Sequence, residues 1–380
     1  MAHPLRPDGR PLKGAPLVDR QSRIHGGRWM SSAPATRRVL GQQVFAAMAA
    51  TWCSGAWAAA PRFAALEQPA VMSPRATGAA MLAVARAGRR LVAGGERGVV
   101  LLSDDDGATW RQARTPVRTS LTALQFVDDR HGWAVGHLGV VLHSADGGAS
   151  WTKQLDGLRL GPLFGRAGSD LAGPLADDGP DKPWLGVHFT DARRGLIVGA
   201  YNLAMQTNDG GATWQPMSDR LPNPKGLHLY GVQRRGASVF IVGEQGLLLR
   251  SDDGGERFTA LASPYKGTWF GVVPLADDDW LAYGLRGTAH RTTDRGAHWQ
   301  PLRTDAAVTL SAGLRRPDGR VLLVTQNGDV LLSDAALQRF ERRGLPLGAP
   351  VADAVLAADG ALVVASLRGP LRTVIEAASR

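Results

Sequence analysis

The sequence predicts an all-β fold, a single seven-bladed β-propeller almost without helix. Three observations predict it. An eight-residue phrase recurs, as "SDDDGATW" (103–110), "SADGGASW" (144–151), "TNDGGATW" (207–214), "SDDGGERF" (251–258) and "TTDRGAHW" (292–299). The aromatic ending each copy advances by 41, 63, 44 and 41 residues, and a worn copy, "SDAALQRF" (333–340), ends 41 further on. Such a step is the size of one four-stranded propeller blade. Between copies the chain keeps one order, seen in "LTALQFVDDRHGWAVGHLGVVLHS" (121–144): strand, polar turn, strand ending in Gly, tight turn, strand.

From the N-terminus, residues 1–29 are polar and rich in Gly and Pro, and read as an extension upstream of a true start at Met30. Residues 30–60 read as a signal peptide: Arg37 and Arg38, an apolar run rich in small residues, then a small-residue exit with cleavage near Ala58–Pro61. The apolar run is too short and too diluted to span a bilayer. Both the general secretory and the twin-arginine routes fit. A periplasmic or otherwise exported protein is expected. The only cysteine, Cys53, lies inside this segment, so the mature chain has no thiol for a disulfide, a nucleophile or a metal. The bulky Trp52 before it argues against a lipid anchor.

Residues 61–380 hold the propeller. Its first unit starts at 81, the others near 121, 185, 229, 269, 309 and 351. The seventh, "VADAVLAADGALVVASLRGPLRT", ends before a fourth strand, while "RFAALEQPAVMS" (62–73) is spare strand material. The ring is therefore expected to be closed by an N-terminal strand, which would remove an open edge. The long step contains an insertion, residues 155–183, between blades two and three. It reads as a loop or as a clasp over the central opening held by Leu160, Leu163 and Phe164.

The phrase reads as a hairpin lock. Its Asp (Asp105, Asp146, Asp209, Asp253, Asp294) accepts backbone N–H groups of its own turn. Its Gly (Gly107, Gly148, Gly211, Gly255, Gly296) takes positive φ. The aromatic (Trp110, Trp151, Trp214, Phe258, Trp299) opens the outer strand and packs on the neighbouring blade. Five acids spread around a rim cannot converge as catalysts or ligands. Blade six reads as having lost the Asp and Gly of its lock.

These residues carry a resemblance. The phrase is the Asp-box, or bacterial neuraminidase repeat, and with the "VG..G.LL.S.DGG..W" grammar and an exported start the chain resembles the photosystem II stability/assembly factor family. That resemblance implies a non-catalytic propeller that binds membrane-protein partners through an Arg-lined face. Sialidases share the box, but their early Arg-Ile-Pro motif is absent here, and none of the four Tyr stands in a sialidase-like context.

Function is expected on the face opposite the boxes, where the turns between second and third strands meet the links between blades. Its candidate partner-binding residues are Arg97, His137, Tyr201, Asn202, Glu244, Arg286 and Arg368, with Arg97, Arg286 and Arg368 forming a basic arc. The expected partner is a membrane protein or envelope complex, with no nucleic acid: residues 1–60 carry +6 of the +10 formal charge, and no dense basic stripe remains. No cofactor and no metal are expected, since His137 and His188 lack ligand spacing. A monomer is expected. A glycan-binding propeller or a glycoside hydrolase is the rival reading, with Glu96 and Glu244 as its carboxylates.

Overall fold

A computed structural model describes residues 63–343 and 347–375, all within the unit Ala59–Arg380. The readings of an upstream extension, a signal peptide and its cleavage site lie outside these residues. The chain forms seven antiparallel sheets in chain order, six of four strands and a last of three. Blade one is β1 (Met81–Ala87), β2 (Arg90–Gly95), β3 (Val100–Ser103) and β4 (Arg111–Ala113); blade two is β5 (Leu121–Phe126), β6 (Gly132–Gly136), β7 (Val141–Ser144) and β8 (Thr152–Leu155). Blade three comprises β9 (Trp184–Phe189), β10 (Gly195–Gly199), β11 (Ala204–Thr207) and β12 (Gln215–Pro216). Blade four comprises β13 (Leu229–Arg235), β14 (Ser238–Gly243), β15 (Leu248–Ser251) and β16 (Thr259–Ala260). Blade five runs β17 (Trp269–Pro274), β18 (Trp280–Gly284), β19 (Ala289–Thr292) and β20 (Gln300–Pro301). Blade six runs β21 (Leu310–Arg315), β22 (Val321–Thr325), β23 (Val330–Ser333) and β24 (Phe340–Arg343). Blade seven has β25 (Val351–Leu356), β26 (Leu362–Ser366) and β27 (Gly369–Thr373).

The core is a circle of separate cores. Each of seven apolar clusters fills the space between one blade and the next, including the joint where Met81, Leu91 and Leu101 of blade one meet Val363 and Ala365 of blade seven. The second strand of each blade is therefore covered on both faces. That is why β6, β10, β18, β22 and β26 are buried throughout and, but for Thr325 and Ser366 at the ends of β22 and β26, carry no alternating polar face.

Closure departs from expectation. Residues 63–73 form no strand; they begin with a short 3-10 turn at Ala64–Leu66 and run along blades one and two as a strap. Leu66 is buried in the core between those blades, Arg118 N–H donates to Ala65 O at 2.8 Å, and Lys153 Nζ donates to Leu66 O at 2.9 Å. Pro69 and Pro74 explain the outcome, because a residue without N–H cannot serve a sheet ladder. Blade seven keeps three strands among the described residues, and its edge strand β27 carries Pro370, which blunts it as a pairing template. Blade one meets blade seven through side chains instead: Val84 N–H donates to Asp353 Oδ2 at 3.0 Å, Ala358 N–H to Asp106 Oδ1 at 3.0 Å, and Arg372 Nε to Asp106 O at 3.1 Å.

The hairpin lock exists in five blades, and its centre is the hydroxyl that opens the phrase. Ser144 Oγ, buried, accepts the N–H of Gly148 at 2.8 Å and donates to Asp146 Oδ1 at 2.8 Å; the carboxylate then accepts Ser150 N–H at 2.9 Å. Ser103, Thr207, Ser251 and Thr292 do the same with Gly107, Gly211, Gly255 and Gly296. These five glycines have φ between 83° and 102°, as expected. The carboxylates of Asp105 and Asp294 are held down to about 2, chiefly by hydrogen bonds from Thr109 and His298. Blade six has lost the Asp and Gly of its box, Ala335 and Leu337 standing at those positions; Asp334, one residue earlier, accepts Gln338 N–H at 2.8 Å in a shifted version of the turn, and Leu337 takes φ 56°. Asp146→Ala should lower stability by about 1 kcal/mol, since water can reach the donors it leaves, whereas Ser144→Ala orphans the buried Gly148 N–H and should cost about 1–3 kcal/mol. Paired urea melts check the order; a larger loss for Asp146→Ala would contradict it.

The insertion is helical. It forms α1 (Leu160–Arg166) and α2 (Ala172–Asp177), and Leu160, Phe164 and Leu175 are buried in the core between blades two and three, with Leu163 half-buried beside them. It contributes no residue to the central channel, so the clasp reading is replaced by an inter-blade plug. Among the described residues no helix is long and apolar enough to cross a membrane.

Candidate partner-binding site

The turns between second and third strands build the face opposite the boxes. In all seven blades the N–H opening the turn donates to the carbonyl just before that blade's own inner strand, at 2.8–3.1 Å, as in Glu96 to Ala80 and Ala200 to Pro183. In blades one to five the residue preceding the turn is Gly, and a Cβ on Gly95 or Gly136 would stand 2.0 Å from that carbonyl oxygen; blades six and seven make the same bond with Thr325 and Ser366 there. Five turns then place a non-glycine residue in the left-handed region: Arg97, Leu138, Tyr201, Gln245 and Arg286, with φ of 51–56°. Non-glycine residues there are strained by about 1 kcal/mol or more.

The candidate residues divide into two groups. Arg97, His137, Tyr201, Arg286 and Arg368 are exposed at turn tips. None of the three arginines is in an ion pair among the described residues, whereas many link cations are: Lys153 with Glu67 and Asp156, Arg220 with Glu256, Arg342 with Asp329. Arg368 donates to Gly348 O at 3.4 Å. Asn202 and Glu244 instead hold their own links: Asn202 Nδ2 donates to Ser218 O, and Glu244 Oε2 accepts His228 N–H at 2.9 Å. Glu96 accepts Ala80 N–H at 3.2 Å in the same way, so both candidate carboxylates for glycan cleavage serve backbone anchoring. The exposed tip beside Glu244 is Gln245, which sequence reasoning passed over.

The inner strands enclose a central channel of about 560 Å³, which reaches the face at Gln326 and Leu367. Among the described residues its single charged lining residue is Asp353, which sequence reasoning also missed. Its signal was available: at the same register of the other six inner strands stand Ala83, Ala123, Gly186, Gly231, Gly271 and Ala312. Burial pushes the Asp353 carboxyl up to about 6, against the pull of hydrogen bonds from Val84 and Ala354 N–H. Burial and the neighbouring Asp353 raise the Tyr283 hydroxyl as well. His188 is packed between blades, and burial lowers it to about 4. Among the described residues no group of three or more His, Cys, Asp or Glu could hold a metal ion.

Comparison with known proteins follows the same outline. Residues 102–160 and 179–339 match the family model of the photosynthesis system II assembly factor YCF48; the unmatched stretch between them lies in the insertion. A photosystem II assembly lipoprotein Ycf48 from Synechococcus sp. (strain CC9902) is 31% identical over 147 residues, 38% of this chain and 44% of that protein. The chloroplastic photosystem II stability/assembly factor HCF136 of Arabidopsis thaliana is 26% identical over 165 residues, 37% of this chain and 40% of that protein. The chain thus matches less than half the length of these relatives. A solved structure of YCF48 from Cyanidioschyzon merolae superposes with a TM-score of 0.59 at 16% identity, covering 80% of this chain and 97% of that one. With the fold alike and more than half of its residues matching the family model, this chain belongs to the photosystem II assembly factor Ycf48 family.

Proposed function

We propose that the protein is an exported, non-catalytic scaffold that receives an acidic segment of a membrane protein or envelope complex during its assembly. The observation that carries this reading is the set of three exposed arginines, Arg97, Arg286 and Arg368, at the turn tips of blades one, five and seven, none of them in an ion pair among the described residues. A guanidinium offers a planar fork that pairs bidentately with a carboxylate, and it stays charged throughout the physiological range. The relatives support the class: by name they are assembly factors, and several are lipoproteins, which agrees with a site of action at the envelope. The glycan reading is weaker because Glu96 and Glu244 are tied to backbone on blades one and four.

Replacing Arg97, Arg286 and Arg368 together by Ala should leave the melting curve in place and reduce recovery of the envelope partner about tenfold, the loss being greater at low salt. The test is a pull-down from membrane extracts with wild type and variant side by side. Equal recovery at both salt levels would reject the basic arc as a binding surface. Release of reducing sugar from polysaccharides, abolished by Glu244→Gln, would overturn the non-catalytic reading.

A further inference from the structure

The arc across the channel from the arginines carries a different chemistry, centred on Tyr201. It is 53% exposed, one of six large apolar or aromatic side chains so exposed among the described residues. Its backbone lies at φ 54°, ψ 44°, and the next residue, Asn202, is also left-handed at φ 63°. The comparable turns in blades one, two, four and five carry Gly at that second position. Two successive non-glycine residues in this region make an unfavourable turn, which persists only where surrounding contacts impose it.

Those contacts are visible. Asn202 N–H donates to Leu227 O at 3.2 Å, and its side chain joins Ser218 O and Asn223 Nδ2. Tyr201 N–H donates to His228 Nδ1 at 3.1 Å, and the His228 ring meets the Tyr201 ring edge-on at 4.6 Å. The ammonium of Lys182 stands 5.0 Å from the centre of the same ring, held by Asp178 and Asp181 at 2.9 and 2.7 Å. Lys182 belongs to the insertion, the part of the chain without a counterpart in any other blade. The insertion therefore does more than plug two blades: it ends by fixing an exposed aromatic ring in place.

We propose that Tyr201, braced by Lys182 and His228, is the specificity-determining contact of this face. It takes an apolar or aromatic side chain of the partner segment while the arginines across the channel take its acidic groups. This rests on the reading of the face as a receptor for acidic segments. A rigid aromatic already in place loses little conformational freedom on binding, so its buried area converts well into affinity.

The test uses the full chain and short synthetic acidic peptides that differ at one central position, carrying Ala, Leu, Phe or Trp, with affinity read by fluorescence anisotropy. Wild type should bind the Phe and Trp peptides about tenfold more tightly than the Ala peptide. Tyr201→Asn should erase that ranking while the melting temperature holds or rises, because Asn tolerates the left-handed backbone better than Tyr. Tyr201→Phe should keep the ranking. Preservation of the ranking in Tyr201→Asn would overturn the proposal. If the peptides bind and weaken together on loss of the three arginines, yet ignore the central residue, only the role of Tyr201 falls. If no acidic peptide binds wild type, the receptor reading falls and takes this proposal with it.

Discussion

Trp133→Ala is expected to lower stability by about 3–5 kcal/mol, the range for removing a buried Trp. Trp133 stands on β6 and is fully buried; besides His143 of its own blade, whose ring lies 5.0 Å away, its stacking and hydrogen-bond partners belong to the next blade. Its ring stacks on Phe189 with centroids 3.5 Å apart and planes 5° from parallel, and Nε1 donates to Gly210 O at 3.1 Å, in the box of blade three. That carbonyl also accepts Gln154 Nε2 at 2.8 Å, so the truncation leaves no orphaned acceptor. The loss is then one of packing: a void between two blades where stacked rings had been. Trp133→Phe, which refills most of the void, should recover more than half of it. Urea unfolding of the three proteins decides the matter, and a loss under about 1 kcal/mol for the alanine variant would mean that the blades are held together by something other than the cores between them.

Asp353→Asn is expected to stabilise the protein, and only above mild acidity. The Asp353 carboxyl titrates at about 6 in the fold against 3.8 in an open chain. A raised acid pKa means that the neutral form is the one the fold prefers. Below pH 4 the group is protonated in both states and contributes no difference. Between pH 4 and 6 the unfolded chain gives up the proton while the fold retains it, so stability falls with rising pH. Above pH 6 the deficit is complete, at about 2–3 kcal/mol. The groups facing this carboxylate are the N–H donors of Val84 and Ala354 and the hydroxyl of Tyr283; among the described residues no Lys, Arg or His lines the channel to offset its charge. Asn is neutral throughout and keeps an acceptor for Val84 N–H. Variant and wild type should therefore coincide at pH 4 and separate toward pH 7.5. Taking the difference cancels the box carboxylates, common to both. Equal separation at both ends of the range would rule out titration of Asp353 as the cause.

What was legible in the sequence was whatever repeats. The blades, the box turns and the turn tips show themselves because seven copies of one plan average out local noise, and a glycine kept before five of the seven tips by a contact of 2.0–2.3 Å leaves a readable signal. What was illegible occurs once. The strap at 63–73 looked like strand because its apolar content was read before Pro69 and Pro74 were weighed. The helices α1 and α2 hide behind Gly161, Pro162, Gly165 and Pro174, and six or seven residues are too few for a helical period to emerge. The box hydroxyls were overlooked because a Ser or Thr looks ordinary at a strand end, and only its burial shows that it carries the turn. Asp353 was within reach of a register comparison among inner strands, since a carboxylate among six Ala and Gly residues is conspicuous once the copies are laid side by side.

The bond that anchors every tip to its own link runs from main chain to main chain, and asks nothing of the side chains displayed there. Positions 97, 138, 201, 245 and 286 are thus open to diversification under a frame that does not register the change beyond local backbone strain. Such a molecule resembles a display library with a constant body and a ring of variable sites. Selection can rewrite what one descendant recognises without renegotiating how it folds, so lineages that part company in cargo can keep the same wheel.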